Sequence, residues 1–131
     1  MIPARYAPQT YAVMRIVFGL VFLMYGVQKF GMLGGVNGQG ASAPLLSWPF
    51  GIAGAIEVIV GILLIVGLLT KAAAFIGSGE MAVAYFMMHM PNGMTPVQNG
   101  GQAAVLFCFA FLYIASRGAG IWSVDGARAG G

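Results

Sequence analysis

Charged residues are scarce: lysine, arginine, aspartate and glutamate make up 7% of the 131 residues, whereas 60% are hydrophobic. Ordinary soluble domains carry roughly 25% charged residues. Because a chain this short has a large surface for its volume, so few charges cannot cover that surface in water. The composition therefore predicts an all-α integral membrane protein whose first partner is the lipid bilayer.

Cysteine and histidine are scarcer still, since each occurs once. The lone Cys108 excludes a disulfide within the chain, and the lone His89 excludes a haem held by two histidines of one chain. The sequence has no Cys-x-x-Cys pair, phosphate-binding loop, nucleophile triad or cluster of metal ligands. Its basic residues are scattered singly, which argues against a nucleic acid partner. We expect no metal and no intrinsic cofactor.

Four apolar segments approach the length of about 20 residues that a membrane-spanning helix needs. They cover about 11–30, 50–69, 72–90 and 102–117. A long loop rich in glycine and proline separates the first two segments at 31–49, and a short polar tail follows at 118–131. The sequence thus predicts a single domain, a four-helix membrane bundle.

The basic residues also predict how the bundle is oriented, because loops rich in lysine and arginine stay in the cytoplasm. Only Lys29 falls on one side of the predicted bundle, and the other side holds Arg5, Arg15, Lys71, Arg117 and Arg128. We therefore expect a multi-pass protein of a bacterial-type plasma membrane. Both termini would be cytoplasmic, and the loop 31–49 would lie outside.

Charged side chains within the spans need partners, since insertion costs about 2.5–3.5 kcal/mol for each. Arg15 and Lys29 lie on one stripe of the first helix, together with Gly19 and Gly26. Glu57 lies between glycines on the second helix, and small residues let helices approach closely in lipid. The spacing predicts a Lys29–Glu57 pair, with either a structural or a functional role.

On the third helix, Glu80 and His89 are nine residues apart. At about 100° per residue, a straight helix places them on opposite faces. We therefore expect Glu80 to contact another chain, either a different subunit or a second copy of this one. A kink at Gly77-Ser78-Gly79 is the alternative, because it would turn Glu80 back into the bundle.

Two sites follow from this arrangement. On the outer side, Lys29, Glu57, Tyr85 and His89 are expected to line a polar pocket under the 31–49 loop. Methionines and aromatic residues of the third helix could make this pocket a quinone site, although plain packing also explains them. On the cytoplasmic side, Asp125 is expected to fold back and pair with Arg15 or Lys71.

Several motifs occur in an order and spacing that resemble the DoxX family of small membrane proteins. Arg15 comes first, followed by Gly26-x-x-Lys29-Phe30, Glu57-x-x-x-Gly61-x-Leu63-Leu64-x-x-Gly67-Leu68-x-Thr70-Lys71, Glu80-Met81-Ala82-x-Ala84-Tyr85-Phe86-x-x-His89-x-Pro91-x-Gly93 and Gly118-x-Gly120-x-x-Ser123-x-Asp125. The resemblance implies a four-helix bundle connected with membrane redox chemistry. Relatives are described as subunits of quinol oxidases or thiosulfate:quinone oxidoreductases, or as parts of complexes that handle oxidative stress. Gln102 departs from the family, which usually has an acidic residue at that position.

Three functions are compatible with these features. The first is an accessory, non-catalytic subunit of a larger quinone-linked redox complex. The second is an oxidoreductase subunit that binds quinone itself, with Lys29 or His89 donating a hydrogen bond to a quinone carbonyl. The third is a small transporter or a proton relay through Glu57 and Glu80. Whether the chain is an enzyme stays open at this point.

Overall fold

The computed structural model describes residues 1–35 and 42–129. The helices in these residues are α1 (Ala7–Lys29), α2 (Phe50–Val66), α3 (Thr70–Ala84), α4 (Pro96–Asn99), α5 (Gln102–Arg117) and α6 (Val124–Ala129). The described residues contain no β-strand, although Phe30 and Ser42 form an isolated bridge. The all-helical prediction is confirmed.

Helices α1 and α2 pack antiparallel, and glycines bring their backbones together. A Cβ atom added to Gly61 would lie 2.8 Å from the carbonyl oxygen of Gly19 and 2.8 Å from the backbone nitrogen of Leu23. Only a residue without a side chain fits such a contact. The small residues noted in the sequence therefore face the helix partner, as is usual for helices in lipid.

Helix α3 packs against both α2 and α5, and aromatic side chains fill the space between the helices. Phe22, Leu64 and Phe111 are fully buried there. The rings of Phe22 and Phe111 meet edge to face, with centroids 4.8 Å apart. On the outside, Phe75 and Phe109 leave about two thirds of their surface exposed. The bundle is therefore apolar on its outer surface as well as in its core.

Among the described residues, one helix is long and apolar enough by itself to cross a membrane. It comprises Ala4–Lys29, which is α1 together with the 3-10 turn before it, and its mean hydropathy is 1.8. Helices α2 and α5 are apolar but shorter.

The helix ends differ from the predicted ones for local reasons. Helix α2 ends at Val66 because Gly67 adopts a left-handed conformation, with φ at 71°. The N–H groups of Gly67 and Leu68 both donate to the carbonyl of Leu63, at 2.8 and 3.0 Å. This pattern closes a helix before a sharp turn. Helix α3 passes into a π-helix at Tyr85–His89 and then a 3-10 turn at Met90–Asn92.

Candidate functional site

Lys29 and Glu57 meet between α1 and α2, as the helix spacing predicted. The Nζ of Lys29 lies 2.7 Å from Oε1 of Glu57. Glu57 is 1% exposed, whereas the Lys29 side chain keeps 18% of its surface accessible. Gly54 makes room for the pair, because a Cβ there would lie 3.2 Å from Cβ of Lys29.

This ion pair lies in the wall of a half-open cavity of about 670 Å³ between α1, α2, α3 and α5. We call it the polar cavity, after the five ionisable residues in its lining, which are Tyr25, Lys29, Glu57, Glu80 and His89. The rest of the lining is mainly apolar and includes methionines and aromatic rings. A cavity of this size, mostly apolar with a few polar groups, is the usual form of a small-molecule site.

Glu80 and His89 both line this cavity, contrary to the prediction that they occupy opposite faces. The π-helix at Tyr85–His89 is the reason. Each turn of a π-helix takes an additional residue, so the residues that follow rotate about the helix axis relative to a regular α-helix. The predicted kink at Gly77-Ser78-Gly79 is not needed, since these residues lie within continuous α3.

The carboxyl group of Glu80 is the unusual feature of the polar cavity. Both of its oxygens are buried, and they receive no donor from the other described residues. The carboxyl of Glu57 is its side-chain hydrogen-bond neighbour, and the charge of Lys29 also acts on it. The prediction that Glu80 points away from its own bundle is therefore wrong. A contact between Glu80 and a partner chain stays a prediction, without that geometric support.

Tyr85 was expected in the pocket but does not line it. Its hydroxyl accepts a hydrogen bond from Nδ2 of Asn99 at 3.2 Å, and its ring packs against Gly101. The backbone carbonyl of the same Asn99 lies 3.3 Å from Nδ1 of His89. Because a carbonyl oxygen only accepts, Nδ1 of a neutral His89 carries the proton of this contact, and Nε2 is then an acceptor.

Sequence reasoning missed the roles of Trp48 and Asn99. Trp48 lines the polar cavity two residues before α2 begins. Asn99 is buried, and its side chain also accepts from the N–H of Gly101 at 2.8 Å. The Asn-Gly-Gly sequence was the available signal, because such turns often depend on the asparagine side chain. The predicted roof over the cavity includes 36–41, which lie outside the described residues.

A second buried charge lies at the opposite end of the bundle. Arg15 is fully buried and donates only to backbone carbonyls. Its Nε donates to Leu64 at 3.0 Å, while its two terminal nitrogens donate to Ala119, to Ile121 at 3.0 Å and to Trp122 at 2.7 Å. We call Arg15 with these four carbonyls the Arg15 cluster. It fixes the tail beneath α1 and α2.

The predicted ion pair between Arg15 and Asp125 is therefore wrong, although the tail does fold back. Asp125 accepts from the N–H groups of Leu69 and Thr70, at 3.0 and 2.8 Å. Its own N–H donates to the carbonyl of Gly67 at 2.8 Å. Asp125 thus caps α3 instead of neutralising Arg15 or Lys71. The hydrogen bond from the N–H of Thr70 is the main cause that lowers the pKa of Asp125 below its usual value.

Known proteins resemble this chain over most of its length. The family model described as DoxX matches residues 10–90. An uncharacterized protein of Haemophilus influenzae is 42% identical over 129 residues, which cover 92% of each chain. An uncharacterized membrane protein of Mycobacterium tuberculosis is 26% identical over 131 residues, covering 90% of this chain and 80% of its own. No solved structure matches. The matched segment contains all five ionisable residues of the polar cavity, and the chain belongs to the DoxX family of membrane proteins.

Proposed function

We propose that this protein is a four-span subunit of a quinone-linked membrane redox complex, and that its polar cavity binds the quinone head group. The cavity itself carries the proposal. It combines a volume of about 670 Å³ and a mostly apolar lining with Lys29, whose ammonium group can donate a hydrogen bond to a carbonyl. The redox assignment follows the DoxX family, whose members are described as subunits of quinol oxidases and thiosulfate:quinone oxidoreductases.

Four spans are supported by the lengths of the helical segments. A helix crosses the hydrocarbon core with about 17–25 residues. Helix α1 has 23 residues and α2 has 17. Helical structure continues from α3 through Asn92. Helix α5 has 16 residues, and a bilayer accommodates a slightly short helix by local thinning.

The fit of a quinone to this cavity depends on two kinds of lining. Met81, Met88 and Phe107 offer soft, apolar contacts for a flat ring. Lys29 offers N–H donors at the ion pair, which would orient a ring oxygen. A bound quinone supplies two-electron redox chemistry, while the residues of this chain bind the ring, orient it and exclude water.

Binding is testable on the protein purified in a mild detergent. Isothermal titration with a short-chain ubiquinone should show saturable binding, and organic extracts should contain native quinone. Lys29→Met, combined with Glu57→Gln so that no buried charge is left unpaired, should weaken binding about tenfold, which corresponds to one hydrogen bond. Lys71→Met is the matched control for a loss of charge, because Lys71 is exposed and lies outside the cavity. Absence of saturable binding would overturn the quinone assignment.

Orientation is tested separately by labelling cysteines in a Cys108→Ala background. Ser42 and Ala127 are exposed positions beyond the two ends of the bundle. With both termini in the cytoplasm, a membrane-impermeant maleimide added to intact cells should label Ser42→Cys. Ala127→Cys should be labelled only after the cells are opened. Labelling of both sites from one side would contradict the proposed topology.

A further inference from the structure

We propose that the polar cavity opens sideways into the bilayer between α2 and α3, and that an apolar tail of the bound ligand leaves through this opening. The proposal rests on the quinone function above and adds the class of ligand, a membrane-dissolved molecule with a hydrocarbon tail on its ring. The observation behind it is a row of residues on α3 that line the cavity and are also exposed on the surface. Ile76 and Val83 are 53% and 51% exposed, and Gly79 is exposed between them. We call these three residues the cavity rim.

The cavity rim lies on the side of α3 that faces α2. Ile76, Glu80 and Val83 are four and three residues apart, so they share one face of the helix. Glu80 has the side chain of Glu57 on α2 as its hydrogen-bond neighbour, which directs this face towards α2. On the other side of α3, Ser78 donates to a backbone carbonyl of α5 at 2.7 Å. A side chain that lines a cavity and is half exposed lies where the cavity meets the surface, so the opening is between α2 and α3.

Gly79 leaves free space at this opening. A Cβ atom added there would meet nothing within 4 Å, whereas one added to Gly61 would lie 2.8 Å from the backbone of α1. The two glycines therefore differ in kind, because Gly61 permits a close helix contact and Gly79 adjoins open space. Carbon atoms pack at about 3.5–4.0 Å from one another, so the space beside Gly79 accepts a hydrocarbon chain without a clash.

The wall between α1 and α5 is built differently. Tyr25 of α1 lines the cavity and is 40% exposed, but its ring meets the ring of Phe107 on α5 edge to face, with centroids 5.9 Å apart. Phe107 also packs against Phe18 of α1, at 5.4 Å between centroids. Ring contacts thus occupy the space between α1 and α5, whereas aliphatic side chains and a glycine form the cavity rim.

The depth of the cavity rim indicates what passes through it. Ile76 and Val83 follow Thr70, the first residue of α3, by six and thirteen residues. At 1.5 Å per residue they lie about 9 and 20 Å along the helix. The hydrocarbon core is about 30 Å thick, and the proposed topology places Thr70 at its cytoplasmic side. A group that passes the cavity rim therefore meets lipid tails instead of water, which favours an apolar chain over any polar group.

The test compares decylubiquinone with the same ring without a tail, titrated into the purified protein in one detergent. The wild type should bind both ligands. Gly79→Phe and Val83→Trp fill the cavity rim and should each weaken binding of decylubiquinone about tenfold, since overpacking costs 1–3 kcal/mol. Binding of the tailless ring should change less than about twofold, as for a surface substitution.

Ala72→Phe is the matched control. Ala72 is exposed, lies seven residues before Gly79 and so on the same face of α3, and is outside the cavity lining. This variant should bind both ligands like the wild type. Unchanged binding of decylubiquinone in both rim variants would overturn the proposal, and so would an equal loss of the two ligands.

A second readout needs no variant at the cavity rim. Decylubiquinone with a photoreactive diazirine at the end of its tail should form adducts on α2 and α3 near the cavity rim, and excess decylubiquinone should suppress them. Adducts on α1 or α5 instead, or none that the excess suppresses, would overturn the tail route, while binding of the tailless ring to the wild type would still support the proposed function. If the tailless ring does not bind the wild type, the proposed function fails and the tail route fails with it.

Discussion

The two ends of the bundle hold buried charge in different ways. In the Arg15 cluster, one guanidinium donates to four backbone carbonyls. In the polar cavity, Lys29 pairs with Glu57, and the buried carboxyl of Glu80 has Glu57 as its side-chain hydrogen-bond neighbour. The first group is one charge held by backbone carbonyls alone, whereas the second gathers three ionisable side chains beside a cavity. We expect the Arg15 cluster to stabilise the fold, and we propose that the polar cavity binds a ligand.

This difference has a physical basis. A buried hydrogen-bond network in which every member is satisfied makes a structure rigid. Functional sites commonly keep ionisable groups in a cavity at some cost in stability. Mutations in the two regions should therefore have different signatures. Loss of the Arg15 cluster should affect folding alone, and changes among the cavity residues should also affect binding.

The largest effect is expected for Arg15→Met. The substitution leaves four carbonyls without their donor, and each unsatisfied buried acceptor costs about 1–3 kcal/mol. We expect the variant to lose about 3–5 kcal/mol of stability, with some of the carbonyls recovered by water. The measurement is thermal unfolding in detergent, together with the yield of folded protein.

Arg5→Met is the control for Arg15→Met, since Arg5 is exposed near the start of the same helix. It should change stability by less than about 0.5 kcal/mol. Arg15→Lys should fall between the two, because an ammonium group has fewer donors and cannot reach all four carbonyls. If Arg15→Met were as stable as Arg5→Met, the Arg15 cluster would not be the structural centre of the tail.

The next effect concerns the ion pair of the polar cavity. Glu57→Gln leaves the charge of Lys29 unpaired and should cost about 3 kcal/mol, near the lower end of the range because Lys29 is partly exposed. Glu57→Gln combined with Lys29→Met should recover much of that loss. A double-mutant cycle by thermal unfolding measures the coupling. Additive losses would show that the two residues act independently despite their 2.7 Å contact.

A smaller effect tests the helix contact that joins the two regions. Gly61→Ala places a methyl group 2.8 Å from the backbone of α1 and should cost about 1–3 kcal/mol. Gly79→Ala is the matched control, because nothing lies within 4 Å of its added methyl. That change should be neutral or slightly stabilising, since alanine favours a helix. Equal effects at both glycines would mean that α1 and α2 are not in close contact.

The smallest effect is expected at the cap of α3. Asp125→Ala removes acceptors for the N–H groups of Leu69 and Thr70 and should cost about 1 kcal/mol. The pKa of Asp125 is lowered in the folded protein from its usual 3.8. Its stabilisation is therefore complete above pH 3.8 and is lost as the pH falls through the lower, folded pKa. Asp125→Asn should keep most of the cap and abolish this acid dependence. An unchanged pH profile would contradict the contact.

Sequence reasoning succeeded where side-chain spacing alone determines a contact. The all-helical fold followed from composition and apolar segments. The Lys29–Glu57 contact followed because Gly26, Gly54 and Gly61 lie on the same helix faces as the charges. Small residues mark where two helices can meet, and a charge between them must face the partner helix.

The same reasoning failed where the backbone determines a contact or the direction of a side chain. The prediction looked for an acidic side chain as the partner of Arg15, but its partners are backbone carbonyl groups. Every residue has a carbonyl, so the residue types in the sequence do not show which ones accept from Arg15. Glu80 and His89 face the same cavity because of the π-helix. A prediction that assumes regular helical periodicity does not include the rotation that a π-helix introduces. Tyr85 was assigned to the pocket for the same reason. The polar cavity could therefore be predicted only in part, namely at Lys29, Glu57 and His89.

One measurement compares the two regions directly, because each contains one of the two tryptophans. Trp48 lines the polar cavity, and the carbonyl of Trp122 belongs to the Arg15 cluster. Quinones quench tryptophan fluorescence on contact, so titration of a short-chain ubiquinone reports which end binds it. We predict saturable quenching in Trp122→Phe, where Trp48 remains, and none in Trp48→Phe. Equal quenching of both variants, rising linearly with added quinone, would show partition into detergent and would contradict a binding site in the polar cavity.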